Sequence, residues 1–179
     1  MNIFLETKNL IIRTPQLSDF DNLLALQTDA DVMKYIGQGV RTKLEVMGGL
    51  EAAIAHQETH GFSLGSVFEK ESELFVGRAG LIYLAYDDTQ PEIEVGYALI
   101  KTAWGEGYGV ELAKALINWG FQHLTVSKLV AVINPENNFS RRVLEKVNMN
   151  YKESRIYRGN EVAFYFIEKS SWINTKNEN

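Results

Sequence analysis

A glycine-rich loop is the first feature of the sequence that could do chemistry. Gly105, Gly107 and Gly109 alternate in the stretch WGEGYGVE, which separates the apolar run VGYALI from the helix-like run VELAKALINWGF. Glycine lets a backbone turn tightly or lie against a ligand, and the first turn of a helix offers unpaired N–H groups and the positive end of the helix dipole. The loop therefore predicts a binding site for an anion such as a phosphate, or else only a turn.

The spacing of these glycines excludes two common phosphate-binding motifs. The dinucleotide fingerprint G-x-G-x-x-G/A needs a small residue three positions after Gly107, where the sequence has Val110. The Walker motif needs a lysine directly after its last glycine, but Val110 follows Gly109. A phosphate bound here would belong to another class of ligand.

Two carboxylates precede the loop on one side of a predicted strand. In PEIEVGYALI, Glu92 and Glu94 alternate with apolar residues, so their side chains share one face of an extended chain. A carboxylate in such a place can accept a proton from a substrate, or it can simply face water.

Other catalytic groups are scarce. The chain has no cysteine, which excludes a cysteine nucleophile and a thiolate metal site. His56 and His60 are spaced i, i+4, but neither a further histidine nor a cysteine completes a metal site, and His123 stands apart. We therefore predict no bound metal.

The surrounding sequence predicts the elements that position these residues. Strands are predicted over 5–14, 61–69, 73–86, 91–100 and 128–135, followed by a hairpin of 151–157 and 161–168 about Gly159 and Asn160. Helices are predicted after an N-cap at Ser18, after a capping box of Thr42 and Glu45, over 107–123, and from an N-cap at Asn137 to a left-handed Asn148.

The order of these elements predicts the fold class. Strand, long helix and buried strand over 91–135 form a βαβ unit, which continues an antiparallel meander. We expect an α/β fold with a mixed sheet and helices on both of its faces. Without a repeat or a linker, 1–173 should be one domain, and NTKNEN at 174–179 should be a disordered tail.

Four stretches in order resemble the GNAT superfamily of N-acyltransferases. They are LETKNLIIRTPQLSDFDNLLAL, EVGYALIKTAWGEGYG, PENNFSRRVLEKVNM and the final hairpin that ends in Trp172. The likeness is to the Rim-type (RimJ/RimL-like) subgroup, which acetylates ribosomal-protein N-termini, and the loop resembles that subgroup's acyl-CoA pyrophosphate motif. Asn9 departs from the subgroup's usual arginine, and Asn148 departs from its usual glycine.

The resemblance implies the GNAT fold, with a mostly antiparallel sheet and a splayed parallel strand pair, and acetyl-CoA as the cosubstrate. Its pyrophosphate would lie on the amides of residues 105–110, and its pantetheine arm beside residues 97–99. The implied cofactor-binding residues are Tyr97, Ala98, Leu99, Trp104, Gly105, Glu106, Gly107, Tyr108, Gly109, Val110, Asn134 and Asn137. Four basic residues would add positive charge or face solvent, namely Lys101, Arg141, Arg142 and Lys146.

The implied reaction is direct attack of an amine on the thioester. Glu94 is the first candidate for the general base, with Glu92 second, and Ser140 would give a proton to the departing thiolate. Many members of the superfamily use a tyrosine for this last step, at the position where this chain has Leu144. Ser140 and Asn137 could equally do no more than satisfy the start of their helix.

Composition and charge narrow the partners. A net charge of −5 disfavours a nucleic-acid partner, and neither a signal peptide nor an apolar run long enough for a membrane span is found, so we expect a cytoplasmic protein.

The acceptor is expected to be a primary amine, foremost the α-amine of a ribosomal or other protein or peptide. A polyamine or antibiotic amine, a longer acyl group and a non-catalytic CoA-binding regulatory domain are the alternatives. Residues 29–60 and 150–162 would build the acceptor pocket, but they carry no motif that identifies the acceptor. The sequence also leaves open whether the protein is a monomer or a homodimer.

Overall fold

The computed structural model describes the backbone of residues 2–177 and the side chains of residues 2–173. Within them, eight strands form a single open sheet in the order β1-β2-β3-β4-β5-β6-β8-β7. The strands are β1 (Ile3–Glu6), β2 (Leu10–Arg13), β3 (Leu64–Glu69), β4 (Phe75–Tyr83), β5 (Ile93–Leu99), β6 (Lys128–Ile133), β7 (Asn150–Tyr157) and β8 (Asn160–Glu168). Neighbouring strands are antiparallel except β5 and β6, which are parallel.

Helices cover both faces of this sheet. They are α1 (Phe20–Thr28), α2 (Ala30–Met33), α3 (Lys43–His60), α4 (Tyr108–His123), α5 (Asn138–Lys146) and α6 (Lys169–Asn177). Alternation along β5 assigns the faces: Ala98 packs against α1 and α2, whereas Leu99 packs in the core that contains α4 and Leu144 of α5. The predicted α/β class, with a mixed, mostly antiparallel sheet and helices on both faces, is confirmed.

Several predicted helix ends are also confirmed. The Thr42 hydroxyl accepts a bond from the Glu45 N–H (3.3 Å), and the Glu45 carboxylate accepts one from the Thr42 N–H (2.8 Å), which is the predicted capping box of α3. Asn137 caps α5, because its Oδ1 accepts a bond from the Ser140 N–H (3.0 Å). Asn148 has a φ of +59°, the left-handed conformation expected where α5 ends.

The predicted first strand is wrong, because residues 5–14 do not form one strand. They contribute to two strands, β1 and β2, which pair antiparallel around a turn in which the Thr7 N–H donates to the Leu10 carbonyl (2.9 Å). The start of α1 is also displaced, because Asp19 rather than Ser18 organises it. Its carboxylate accepts a bond from the Gln16 N–H (3.2 Å) and pairs with Arg13 (3.0 Å).

The C-terminal part differs from prediction at two places. The turn between β7 and β8 lies at Arg158 and Gly159, one residue earlier than expected, and both residues have positive φ. Helix α6 spans Lys169–Asn177 and buries Trp172, so residues 174–177 of the predicted tail lie in a helix. Residues 178 and 179 lie outside the described residues.

Candidate active site

The glycine loop joins β5 to α4 and presents free backbone donors. Gly107 precedes the first helical residue with a φ of +81°, and no side chain caps the helix. None of the N–H groups of residues 105–109 donates to an acceptor among the described residues. A Cβ placed on Gly105 or Gly107 would meet no atom within 4 Å. Free donors, open space and the positive end of a 16-residue helix together make an anion cradle.

Two side-chain hydrogen bonds fix the cradle to the sheet. The Tyr108 hydroxyl donates to the Glu69 carboxylate on β3, and this hydrogen bond raises the pKa of Tyr108 to about 12. The Trp104 indole N–H donates to the Leu99 carbonyl (2.9 Å), although the indole is 47% exposed. Both aromatic side chains therefore hold the loop in place, and the Tyr108 side chain is not free to contact a ligand.

A third contact ties the first turn of α4 to the β1–β2 turn. The Glu111 carboxylate accepts bonds from the Asn9 N–H (2.7 Å), the Asn9 side-chain amide (2.7 Å) and the Thr7 hydroxyl (2.5 Å). Burial acts to raise the pKa of Glu111, but these bonds outweigh it and the pKa is lowered. Asn9, which stands where the Rim-type pattern has arginine, thus has a structural partner of its own.

Strands β5 and β6 separate beside the cradle. They share a single register pair, Glu94 with Val130, although each strand has six or seven residues. Beyond Glu94, the β6-facing edge of β5 has no register partner in the described sheet as far as Leu99. This splay leaves a gap in which an extended ligand can pair with exposed main chain, as the resemblance implied.

Glu94 stands where the two strands part. It is half-buried, and it forms neither a hydrogen bond nor a salt bridge with a described residue. Burial raises the pKa of Glu94 to about 7, against the opposing effect of the positive charges of Arg158 and Arg78. A carboxyl group with this pKa changes protonation near neutral pH, which suits a general base.

Ser140, at the start of α5, lies beside the Tyr97 hydroxyl. Burial raises the pKa of Tyr97, and the Ser140 hydroxyl opposes this by hydrogen bonding. A Cβ on Gly109 would lie 3.1 Å from the Tyr97 hydroxyl oxygen, so the first turn of α4 packs directly on this ring. Two hydroxyl groups therefore meet between the cradle and α5.

The comparisons with known proteins agree with this geometry. A family model described as "Acetyltransferase (GNAT) domain" matches residues 9–150. The chain belongs to the GNAT acetyltransferase family. YkkB, an uncharacterized protein of Bacillus subtilis, is 30% identical over 140 residues, which are 78% of this chain and 80% of YkkB. YnaD, an uncharacterized N-acetyltransferase of the same organism, is 26% identical over 93% of this chain and 97% of its own length.

A solved GNAT structure shares the fold over nearly the whole chain. The crystal structure of a GNAT-family acetyltransferase from Bacillus anthracis superposes with a TM-score of 0.78 at 25% identity, and the match covers 95% of this chain and 99% of that one. The mixed sheet with its splayed parallel pair is therefore the GNAT fold. None of the described helices is long and apolar enough to cross a membrane.

The cradle fits the diphosphate of a CoA thioester in this GNAT protein. Five consecutive free N–H groups can bind several phosphate oxygens, and no side chain needs to move to admit them. Val110 differs from the rest of the predicted set, because its N–H donates to the Gly107 carbonyl (3.1 Å). The amides that remain available are those of residues 105–109.

The two candidate carboxylates have different surroundings. Glu92 lies just before β5 and forms ion pairs with Arg155 (3.3 Å) and Lys128 (3.8 Å). The Glu92 carboxylate is thus engaged by two cations, which leaves it less free to meet an amine. Glu94 has no such partner, which makes it the better candidate of the two.

Other predicted residues have structural partners. Asn134 Oδ1 accepts a bond from the Glu136 N–H (2.9 Å), and Asn137 Oδ1 caps α5. Lys101 pairs with Asp31, so its charge is partly neutralised. Ala98 packs on the α1 and α2 side of β5, and only its backbone borders the gap. Leu144, at the position of the superfamily's tyrosine, is buried in the core.

Several residues around Glu94 were not predicted from the sequence. The charge of Glu94 raises the pKa values of Tyr86 and Tyr157, after the larger effect of burial, and Arg78 and Arg158 act on Glu94 in turn. One signal was present, because Arg78 interrupts the otherwise uncharged strand FVGRAGLIY. The other residues come from loops and a hairpin without a motif.

The histidines do not form a metal site in the described part of the chain. No group of three or more potential ligands is found there. His56 Nδ1 lies 2.7 Å from the Phe62 carbonyl, and Nε2 accepts a bond from the Tyr83 N–H (3.2 Å). Both ring nitrogens of His56 are therefore used, and burial lowers its pKa, which keeps the ring neutral.

The raised pKa of Glu94 predicts a pH-dependent stability. Below about pH 4.5 the carboxyl is protonated in both the folded and unfolded chain, and above about pH 7 it is ionised in both, so the folded state loses stability as the pH rises between these values. Glu94→Gln should therefore gain about 1–3 kcal/mol relative to wild type between pH 4.5 and pH 8. Urea unfolding at these two pH values measures the difference in free energy of unfolding between Glu94→Gln and wild type. The same difference at both pH values would contradict the raised pKa.

Proposed function

We propose that this GNAT acetyltransferase uses acetyl-CoA as its cosubstrate and transfers the acetyl group to the α-amine of a protein or peptide N-terminus. The observation that carries the proposal is the position of Glu94, which lies where β5 and β6 part. It stands near the start of β5, and the other end of this strand leads to the free amides of residues 105–109. The cradle binds the diphosphate, and the gap accepts the extended arm. When bound, acetyl-CoA supplies an activated acyl group as a thioester.

Glu94 takes the proton that the amine must lose. An α-amine has a pKa of about 7.7 to 8.0, whereas a lysine amine has one of about 10.4. The pKa of Glu94 is raised to about 7, so the two pKa values lie close together only for the α-amine. This match favours an N-terminal acceptor over a lysine-like amine, because transfer to Glu94 is then nearly balanced.

Ser140 and Tyr97 hold the proton for the departing thiol. Their hydroxyls lie together at the start of α5, next to the first turn of α4. Tyr97 thus takes part of the role that a tyrosine at position 144 plays in other members of the superfamily. The presence of both a base and a hydroxyl pair argues against a purely regulatory CoA-binding domain.

Solved structures with the same fold include enzymes named for a protein α-amine and enzymes named for a polyamine. One is the RimL ribosomal L7/L12 α-N-protein acetyltransferase in complex with coenzyme A, at 17% identity, and another is a spermidine N-acetyltransferase in complex with CoA and spermine, at 16%. These likenesses support the fold and do not select the acceptor. The selection of an α-amine rests on the pKa of Glu94.

The proposal is tested by thiol release from acetyl-CoA. The acceptors are an N-terminal peptide, the same peptide with a blocked N-terminus and one internal lysine, spermidine and an aminoglycoside. We expect turnover with the free N-terminal peptide only, with a mass gain of one acetyl group on the α-amine. Saturable acetyl-CoA binding without turnover on any amine would instead support a regulatory domain.

The hydroxyl pair predicts two graded losses. Ser140→Ala should lower kcat by about 10- to 100-fold, and Tyr97→Phe by less, since general acid catalysis contributes about 10²- to 10⁴-fold in total. The double variant should lose no more than Ser140→Ala alone, because the two groups act as a unit. Ser140→Ala keeps the backbone N–H that Asn137 caps, so the melting temperature should change little. Unchanged kcat in Ser140→Ala would remove the pair from the reaction.

A further inference from the structure

Two arginines lie on the α1–α3 side of the sheet without a salt bridge. Arg78 lies on β4, and Arg41 lies in the segment before α3. Neither forms a salt bridge or a side-chain hydrogen bond with a described residue. In contrast, Arg13 pairs with Asp19 at 3.0 Å, and Arg155 pairs with two glutamates. Both arginines are half-buried, and a charge that is partly removed from water is normally paired, so the lack of a salt bridge needs an explanation.

A small cavity lies beside these arginines. It has a volume of about 20 Å³, and Arg78, Ser66, Gln27 and Gly49 contribute to its lining. Arg41 borders it through Gly49, because a Cβ on Gly49 would lie 3.5 Å from Arg41 Nη1. The Arg41 N–H also donates to the Gln27 carbonyl (2.9 Å), which holds the two residues together. The cavity has room for about one water-sized polar group, such as one oxygen of a carboxylate whose carbon stays at the opening.

The cavity wall carries two polar atoms that lack a partner. Gln27 and Ser66 are 3% and 1% exposed, and neither Gln27 Oε1 nor Ser66 Oγ has a hydrogen-bond partner among the described residues. The oxygen and nitrogen of a glutamine side chain exchange by a simple flip, so Gln27 can offer an N–H₂ donor there. The Arg78 guanidinium, a hydroxyl and an amide then line one space, which Arg41 adjoins, and all of these groups can donate hydrogen bonds.

The charge balance around Glu94 also leaves room for an anion. The charges of Arg78 and Arg158 both act on Glu94, and the charge of Arg41 acts on Arg78, so three arginines share one nearby carboxyl group. Arg78 is in register with Ala98, four residues along β5 from Glu94, which is roughly 13 Å on the same face of the sheet. An extended peptide spans that distance in about four residues, and fewer are needed when both side chains reach inward.

Hydrogen bonds join the segment before α3 to the β7–β8 turn. The Gln38 side chain donates to the Arg158 carbonyl (3.1 Å), and the Asn160 side chain donates to the Gly37 carbonyl (3.3 Å). Arg158 also donates to the Ala85 carbonyl (3.2 Å). These bonds bring the segment that carries Arg41 next to Arg158, whose charge acts on Glu94.

We propose that the Arg41 and Arg78 pocket binds a carboxylate of the acceptor, so that the acceptor is a peptide with an acidic residue at its second or third position. The inference rests on the proposed function, because it places the α-amine at Glu94. Arg78 and Arg41 give charge-assisted hydrogen bonds, and Ser66 and Gln27 complete the donor set. A polyamine would bring positive charge to a site that already holds three arginines.

The test compares three hexapeptides that differ only at residues two and three, where they have glutamate, glutamine or lysine. For wild type, we expect kcat/KM with the glutamate peptide to exceed that with the glutamine peptide by about 10- to 100-fold, and the lysine peptide to be the poorest. Arg78→Gln should reduce this preference to about twofold. Free glutamate is tested as a further acceptor. Efficient acetylation of free glutamate would overturn the inference that the acceptor is a peptide.

Controls separate this role from effects on folding and net charge. Lys114→Gln removes one positive charge from the exposed face of α4, on the opposite side of the sheet, and should keep the preference. Arg41→Gln should lower the preference as well, and it offers a second test if Arg78→Gln fails to fold. Arg78→Lys keeps the charge without the bidentate geometry and should give an intermediate preference.

Equal activity on the glutamate and glutamine peptides in wild type would overturn the inference and leave the proposed function intact. Failure of the proposed function has a different signature, because no peptide would then be acetylated. Calorimetric binding of the glutamate and glutamine peptides to wild type and Arg78→Gln, in the presence of CoA, decides the inference in that case. Equal affinities would overturn it, and a preference for glutamate that Arg78→Gln removes would support it.

Discussion

Glu94→Gln is expected to lower kcat by about 10²- to 10⁴-fold, while the dissociation constant for acetyl-CoA stays within about twofold of wild type. Glutamine keeps the shape of the side chain but cannot accept the amine proton at neutral pH. The cradle amides of residues 105–109 and the β5–β6 gap are separate from this side chain, so cosubstrate binding should persist. Steady-state kinetics and calorimetric titration with acetyl-CoA measure the two effects.

The pH profile distinguishes a base from a merely structural residue. In wild type, kcat/KM should rise through about pH 7, where Glu94 ionises, and again toward pH 8 as the α-amine of the acceptor loses its proton. For Glu94→Gln, kcat/KM should keep only the second increase, toward pH 8. Glu92→Gln is the matched control, because Glu92 is held by Arg155 and Lys128, and it should keep both increases. A Glu94→Gln enzyme with wild-type kcat at every pH would exclude the base role.

The parts of the site that could be predicted from sequence are those built from adjacent residues. The glycine loop can be recognised from the sequence because the free amides, the turn and the helix start all lie within eight residues. Glu94 was accessible for the same reason, since strand alternation alone assigns its face. The raised pKa of Glu94 could not be predicted in this way. Burial causes it, and the tyrosines and arginines around Glu94 come from β4, the loop after β4 and the β7–β8 hairpin. Burial by distant segments leaves no local pattern.

The same limit explains the differences in the fold. Residues 5–14 alternate well enough for one strand, and the turn that divides them is stabilised by Glu111, about one hundred residues away. Asp19 organises the start of α1 because Arg13 of β2 lies beside it, a contact that spacing at Ser18 could not reveal. Long-range contacts of single polar residues determine the β1–β2 turn and the start of α1. In contrast, the periodic apolar stripe of α4 was sufficient to predict that helix.

Gly107→Val is expected to raise the dissociation constant for acetyl-CoA by about 100-fold or more. Gly107 has a φ of +81°, a conformation that costs a β-branched residue on the order of 1–3 kcal/mol. Relief of that strain would turn the amides of the cradle away from the anion. The added side chain would also stand in the open space above the loop, where no protein atom lies within 4 Å. Both effects act on binding rather than on the core.

Gly61→Val is the matched control for the strain itself. Gly61 ends α3 with a φ of +79° and also has open space around its Cβ position, but it is remote from the cradle. Both variants should lose a similar free energy of unfolding, on the order of 1–3 kcal/mol, and only Gly107→Val should lose acetyl-CoA affinity. Calorimetry with acetyl-CoA and urea unfolding of the two variants give the comparison. Undiminished binding by a folded Gly107→Val protein would mean that the loop is only a turn and that the diphosphate lies elsewhere.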